Sequence, residues 1–245
     1  MLLPNSSRFS SFSALKTLVQ KVGNYYCRQV CRREFLTQQF LGFNERAVEY
    51  RFLFENLAQM CPKSMLDVGT GKTALPQLIR TCGPLVTAID NVKDYWPTGM
   101  INRHYHVLDN DILAPTVQGP FDLVTCISTL EHIRDHDRAV KMMFSLLRPG
   151  GRLLLTFPYC EQTYVENVYA LPGSIGADKY SFSTQVFSRQ NVERWQTENV
   201  ATLVTQEYWK FSTGSFWTIG DPLVPPLKVG PADLHQLSCI ALEKQ

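Results

Sequence analysis

SMLDVGTGKTA, residues 64–74, is a short apolar run that ends in an acid and two glycines one residue apart. The apolar run reads as a strand and the glycines as a tight turn. Ala74 to Arg80 then reads as a short helix. The same texture continues downstream. LVTAID (85–90) is a second strand ending in an acid, and HYHVL (104–108), FDLVTCI (121–127) and GRLLLTF (151–157) are three more. A helix from about Asp135 to Leu147 precedes the breaker Pro149-Gly150-Gly151. Strands alternating with helices imply a parallel, doubly wound sheet.

The flanks read differently. Residues 5–13 are rich in serine and read as loose. From Ala14 to about Phe40, Leu15, Leu18, Val22, Tyr25/Tyr26, Gln29/Val30 and Arg33 trace a helical period. Asn44 suits the cap of a second helix, with Ala47, Val48, Phe52, Leu57 and Ala58 as its buried candidates. Ser188 opens a capped helix, SRQNVERWQ. VATLVTQEYW (200–209) and LSCIALEK (237–244) read as strands without a helix between them. Such a pair is antiparallel. The proline-bearing segment from Ser212 to Gln236 reads as loop.

A chain of 245 residues, 44% hydrophobic and 19% charged, has the material for one large α/β domain with a core. Its net charge of +2 gives no global case for nucleic acid. The charge is uneven, with eight Lys or Arg against three Glu in residues 1–51. The first 33 residues hold five serines and no acid, the composition of a transit peptide, but the favoured reading is a basic amphipathic helix after a frayed start. Seven scattered cysteines make no zinc set and point to reduced thiols in a cytoplasmic compartment. No apolar run reaches the roughly 18 residues of a membrane span.

DVGTGKTA, Asp67 to Ala74, admits three ligands. A phosphate-binding P-loop needs a glycine four residues ahead of Gly71-Lys72, where Leu66 stands. The nicotinamide turn GxGxxA fits Gly69, Gly71 and Ala74, but that turn usually follows an apolar residue and its fold has no closing antiparallel strand. A loop for S-adenosylmethionine accounts for more. Glycines let the backbone approach a ligand, Asp67 can face its cationic end, and Asp90 can accept two hydrogen bonds from a ribose. Asp111-Ile112 suits adenine, one accepting from the amino group and the other packing on the ring. Asp109 competes for that role.

Together these segments resemble a family, the class I S-adenosylmethionine-dependent methyltransferases. MLDVGTGKT resembles its first motif, with Thr73 where a third glycine is common. VTAID resembles the second-strand acid, NDIL (110–113) the adenine-side motif, FDLVTCISTLEHI (121–133) the fourth strand and its turn, and LLRPGGRLLLTFP (146–158) the loop and fifth strand. The STLEHI turn is most like small-molecule members, including the quinone-pathway O-methyltransferases. The resemblance implies a seven-stranded, Rossmann-like doubly wound sheet, mostly parallel with a C-terminal antiparallel strand. It implies a core over 61–158 and 188–245, an N-terminal helical cap over 1–60 and a substrate-side insertion over 159–187. It also implies S-adenosyl-L-methionine as cofactor, held by Asp67, Gly69, Thr70, Gly71, Asp90, Asn91, Asp111, Ile112 and Ile127, with no metal.

The chemistry implied is methyl transfer to a small acceptor, aromatic or sugar-like, with O-methylation preferred. A nicotinamide-dependent oxidoreductase and a non-catalytic nucleotide-binding module are the alternatives. His132 follows the fourth strand and is the candidate base; packing over the cofactor is its structural alternative, with Glu131 capping nearby amides. His136 reads as a solvated helix start, His104 and His106 as a structural or surface pair, and Asp122 as structural. Tyr159, Tyr164, Tyr169, Tyr180 and Phe182 offer aromatic faces to an acceptor or simply a packed subdomain. Trp195, Trp209 and Trp217 read as core or as anchors of the long loop.

Overall fold

The computed structural model describes residues 7–40, 42–92, 102–175 and 182–245. The chain divides into two compact units, Met1–Phe43 and Asn44–Gln245. Among its described residues the first contains one helix, α1 (Ser7–Thr37), so helix begins inside the serine-rich stretch that reads as loose. Residues 5 and 6 of that stretch lie outside the described residues.

The second unit carries α2 (Arg46–Met60), β1 (Ser64–Val68), α3 (Leu75–Thr81), β2 (Leu85–Asp90), β3 (Leu108–Asp109), β4 (Phe121–Ile127), α4 (His136–Ser145), β5 (Leu147–Pro158), α5 (Arg189–Glu198), β6 (Ala201–Ser212), β7 (Pro222–Val229) and β8 (Leu237–Lys244). The sheet order is β3-β2-β1-β4-β5-β8-β6-β7. The first five strands pair in parallel; β8 closes antiparallel on β5, and β6 and β7 continue antiparallel.

Alternation along the strands builds two cores. Leu66, Val124, Leu153 and Leu155 face one side, where Met143 and Phe144 of α4 and Trp195 of α5 pack. Met65, Leu123 and Leu154 face the other, against Phe52 and Leu53 of α2 and Ile79 of α3. Helices thus cover both faces, which is why these strands are apolar throughout. On α2 the inward face carries Val48, Phe52, Leu53 and Leu57, while Ala47 and Ala58 are exposed.

Local chemistry sets the element ends. Asn44 Oδ1 accepts from the Arg46 amide at 3.2 Å, one residue before the cap position Glu45. Asp135 caps α4, its side chain accepting from the Arg138 amide. Ser188 caps α5: its amide and hydroxyl both donate to Asn191 Oδ1 at 2.9 Å. Ser188→Ala is expected to lower stability by about 1 kcal/mol, measured as a shift of the urea midpoint at unchanged m-value.

Three expectations are corrected. The sheet has eight strands among the described residues, not seven. The eighth, β7, lies in the segment read as loop; its prolines are tolerated because the strand sits at the sheet edge. Of HYHVL only Leu108 is in a strand. Asn102 Oδ1 accepts from the amides of His104 and Tyr105, folding a turn, and the Tyr105 hydroxyl donates to Val86 O. Pro149-Gly150-Gly151 does not end α4. The helix stops at Ser145, and the three residues form an irregular start to β5, with Gly150 at φ +70.

Candidate active site

β1 delivers the glycine turn to the carboxyl edge of the sheet. Gly69 has φ +75 and Gly71 φ +58, the left-handed region glycine adopts without strain. The Gly69 amide donates to Ile89 O, which fastens the turn to β2. Asp90 Oδ2 accepts from the Gly71 amide at 2.6 Å. Asn102 Nδ2 donates to both Gly71 O and Thr73 O at 2.9 Å, bracing the far side.

Asp67 is buried at the floor of the turn. Its Oδ2 accepts from the Thr70 hydroxyl at 2.7 Å and its Oδ1 from Thr125 at 2.8 Å. Burial pushes its carboxyl up to about 6 against the pull of those hydroxyls. Asp67 therefore also fixes the loop from below. Asp111 Oδ1 accepts from the Leu113 amide at 2.8 Å, a turn that buries Ile112. Asp109 instead accepts from the Val92 amide.

These elements surround a cavity of about 790 Å³. Asp67, Gly69, Thr70, Gly71, Asp90, Asn91, Asp111, Ile112, Ile127 and His132, ten residues spread over four strand ends, all line it. Arg46 and Tyr50 of α2 line it too, together with Ser128, Thr129 and Phe182. Sequence motifs give no sign of the α2 contribution. The available hint was Glu49, an acid between the apolar Val48 and Phe52 on the inward face.

A second cavity of about 320 Å³ adjoins the first, lined by Glu131, Tyr169, Phe211, Trp217 and Gln236 among others. Arg46, Ser128, His132 and Phe182 line both. Trp217 therefore faces a cavity rather than serving only as core or anchor. The aromatics of the insertion divide. Tyr159 is buried core with its hydroxyl on Glu161, and Tyr164 bonds Gln185, whereas Tyr169 and Phe182 face the smaller cavity. Tyr180 lies outside the described residues.

The shared wall is held by a buried acid. Glu49 is 0% exposed. Its Oε1 accepts from the hydroxyls of Ser128 and Thr156, each at 2.7 Å, and its Oε2 from Arg46 at 2.7 Å. Burial raises its carboxyl, while Arg46 and the two hydroxyls oppose the rise. Glu131, on the turn after β4, has its carboxylate against its own backbone amide, which favours ionisation. It is 4% exposed, its Oε2 finds no partner among the described residues, and burial pushes it up to about 8.

His132 packs edge-on against Phe182, with ring centroids 5.2 Å apart, and its Nδ1 lies 3.3 Å from Ser183 O. Burial lowers its pKa, so the ring is neutral near pH 7. A hydrogen on Nδ1 toward that carbonyl leaves the lone pair on Nε2. His136 is not solvated. It bonds Gln185 Oε1 at 2.9 Å and packs on Phe187 and Trp195. Asp122 is structural: although burial opposes ionisation, Arg148 and the amides of Ser64 and Lys63 hold it down at about 2.

Among the described residues no group of three or more potential metal ligands occurs, and no helix is long and apolar enough to cross a membrane.

Residues 43–205 match the model of a family described as a methyltransferase domain. A ubiquinone biosynthesis O-methyltransferase from Coxiella burnetii is 30% identical over 119 residues, covering 46% of this chain and 50% of the relative. One of the same name from Xanthomonas campestris is 34% identical over 99 residues, 38% of this chain and 41% of the relative. The chain spans about half the length of the curated relatives it matches. The Burkholderia thailandensis 1,6-didemethyltoxoflavin-N1-methyltransferase, solved with 1,6-didemethyltoxoflavin and S-adenosylhomocysteine, superposes with a TM-score of 0.54 at 14% identity. That match covers 100% of this chain and 93% of the neighbour, and the likeness is one of fold.

Proposed function

The chain belongs to the class I S-adenosylmethionine-dependent methyltransferases, the family whose cofactor is S-adenosylmethionine, and from that premise we propose that it methylates an oxygen of a small acceptor, aromatic or sugar-like. The observation that carries this reading is the pair of adjoining cavities. The larger gathers the glycine turn and the strand-end acids, and the smaller is lined with aromatic side chains; they share a wall at Arg46, Ser128, His132 and Phe182. Family membership removes the nicotinamide alternative. The names of the O-methyltransferase relatives favour oxygen over nitrogen.

The residues fit the cofactor. A cavity of about 790 Å³ is of ligand size, and the turn at Gly69 lies so close to Thr129, on the opposite wall, that only glycine fits there. In this reading Asp90 and Asn91 hold the ribose, Asp111 and Ile112 the adenine, and Gly69, Thr70 and Gly71 offer backbone to the amino-acid part. Asp67 orients that loop, and Ile127 packs beneath it. Bound there, the cofactor supplies an activated methyl group on a sulfonium. The chain's own work is then to orient the acceptor and exclude water. Tyr169, Phe182, Phe211 and Trp217 clamp a planar or sugar-like body. Arg46 is held in place by Glu49 and brings positive charge to the shared wall. His132 Nε2 takes the proton from the acceptor hydroxyl as the methyl arrives.

Calorimetric titration with S-adenosylhomocysteine, with NADH as control, tests the cofactor assignment. Saturable binding of the former alone is expected, and binding of NADH alone would overturn it. Asp90→Ala should weaken S-adenosylhomocysteine binding by about 1.5–3 kcal/mol, roughly 10- to 150-fold. An unchanged affinity would remove Asp90 from the site.

A further inference from the structure

The first helix carries an exposed apolar stripe. Leu15, Leu18, Val19, Val22, Tyr25 and Tyr26 recur at the three- and four-residue spacing of one helix face, and each is 58–68% exposed. Lys21 flanks that stripe, and Arg28 and Arg32, seven and eleven residues on, continue the line of the same border beyond Tyr26. Over its whole length α1 carries six basic residues against one acid, Glu34. The helix is 31 residues long, but it is not apolar enough to cross a bilayer.

We propose that α1 lies on the surface of an anionic phospholipid bilayer, with its apolar stripe in the interface and its basic border against the lipid head groups. A stripe of aliphatic side chains and tyrosines bordered by Lys and Arg is the composition of helices that lie in the membrane plane. Tyr25 and Tyr26 have an apolar ring and a polar tip, which suits the depth of the head groups. Charge selects this occupant over a second copy of the chain. Two copies of a helix with six basic residues and one acid repel each other, and an antiparallel pair on this face would also bring their rows of Lys21, Arg28 and Arg32 together, whereas anionic lipid neutralises them in any orientation. The chemistry recognised is a fluid, negatively charged lipid surface, not one particular head group.

The test is flotation of the full chain with vesicles of phosphatidylcholine or of an equal mixture of phosphatidylcholine and phosphatidylglycerol. Circular dichroism and a thermal melt establish that each variant is folded. The chain is expected to float with the mixed vesicles, to do so less at high salt, and to stay behind with phosphatidylcholine alone. Each basic residue near such a surface is worth about fivefold in affinity, so the combined change Lys21→Gln, Arg28→Gln and Arg32→Gln should weaken flotation about a hundredfold. Leu18→Gln with Val22→Gln should abolish it at every salt concentration, and Asn24→Gln on the opposite face should leave it unchanged. Three results would overturn the proposal: no flotation with the mixed vesicles, equal flotation with both kinds, or a concentration-dependent dimer in light scattering that Leu18→Gln with Val22→Gln dissolves. The last would assign the face to a second copy of the chain.

Discussion

Gly69→Ala will lower stability by about 2–5 kcal/mol, and Gly71→Ala, two residues on, by only about 1–2 kcal/mol. Both glycines have positive φ, so both variants carry the cost of a left-handed alanine. The surroundings separate them. A Cβ on Gly69 would fall 2.1 Å from Thr129 Cγ2 and 2.7 Å from Thr129 Cβ, whereas one on Gly71 would meet nothing within 4 Å. Thr129 cannot simply rotate away, because its hydroxyl donates to Gly69 O and Ile127 O at 3.2 and 3.1 Å. The turns after β1 and β4 must therefore move apart, and both line the larger cavity. Urea unfolding gives the stability difference, and S-adenosylhomocysteine titration gives its effect on the site. Equal destabilisation by the two changes would mean that the approach of Thr129 to Gly69 carries no weight.

Glu131→Gln will remove a pH dependence of stability that the wild type shows between about pH 4.5 and 8. The Glu131 carboxyl is ordinary in the unfolded chain, at 4.5, and burial pushes it up to about 8 in the folded one. Between those values the folded state holds the proton and the unfolded state has released it. Wild-type stability therefore falls as pH rises through that window and levels off above it, by at most about 1.4 kcal/mol per pH unit from this group. Glutamine keeps the shape of the neutral acid and does not titrate. The variant's advantage should therefore grow with pH and reach a plateau above about pH 8. Its neighbours set the background: Glu49 is also raised by burial, and the Arg46 guanidinium, paired with Glu49 at 2.7 Å, opposes the rise of both acids. Urea midpoints from pH 5 to 9 read the effect. A constant difference between variant and wild type across that range would show that Glu131 is ionised in the folded chain throughout.

The glycine turn and the strand-end acids were legible because they are local. In a parallel sheet every strand delivers its carboxyl end to the same edge, so Asp67, Asp90, Asp111 and Ile127 reach one cavity once the strands are recognised. The wall contributed by α2 was not legible. Glu49 meets Ser128 and Thr156 across 79 and 107 residues of chain, and no pattern in either segment announces the other. His136 was misread for a similar reason. A histidine beside two aspartates at a helix start looks solvated until Tyr164, Phe187 and Trp195 arrive from distant segments to cover it. Strand β7 was missed because prolines argue against a strand, and that argument holds for central strands but not for an edge.

Those prolines have a consequence for how the protein behaves at high concentration. An edge strand is a template on which another chain can extend the sheet, and β7 exposes Val224 and Leu227 there. Three of its eight residues, Pro222, Pro225 and Pro226, have no amide hydrogen to offer a newcomer. The features that hide the strand from a reader of the sequence thus also hide it from other polypeptides, and they make β7 a barrier to sheet-to-sheet aggregation.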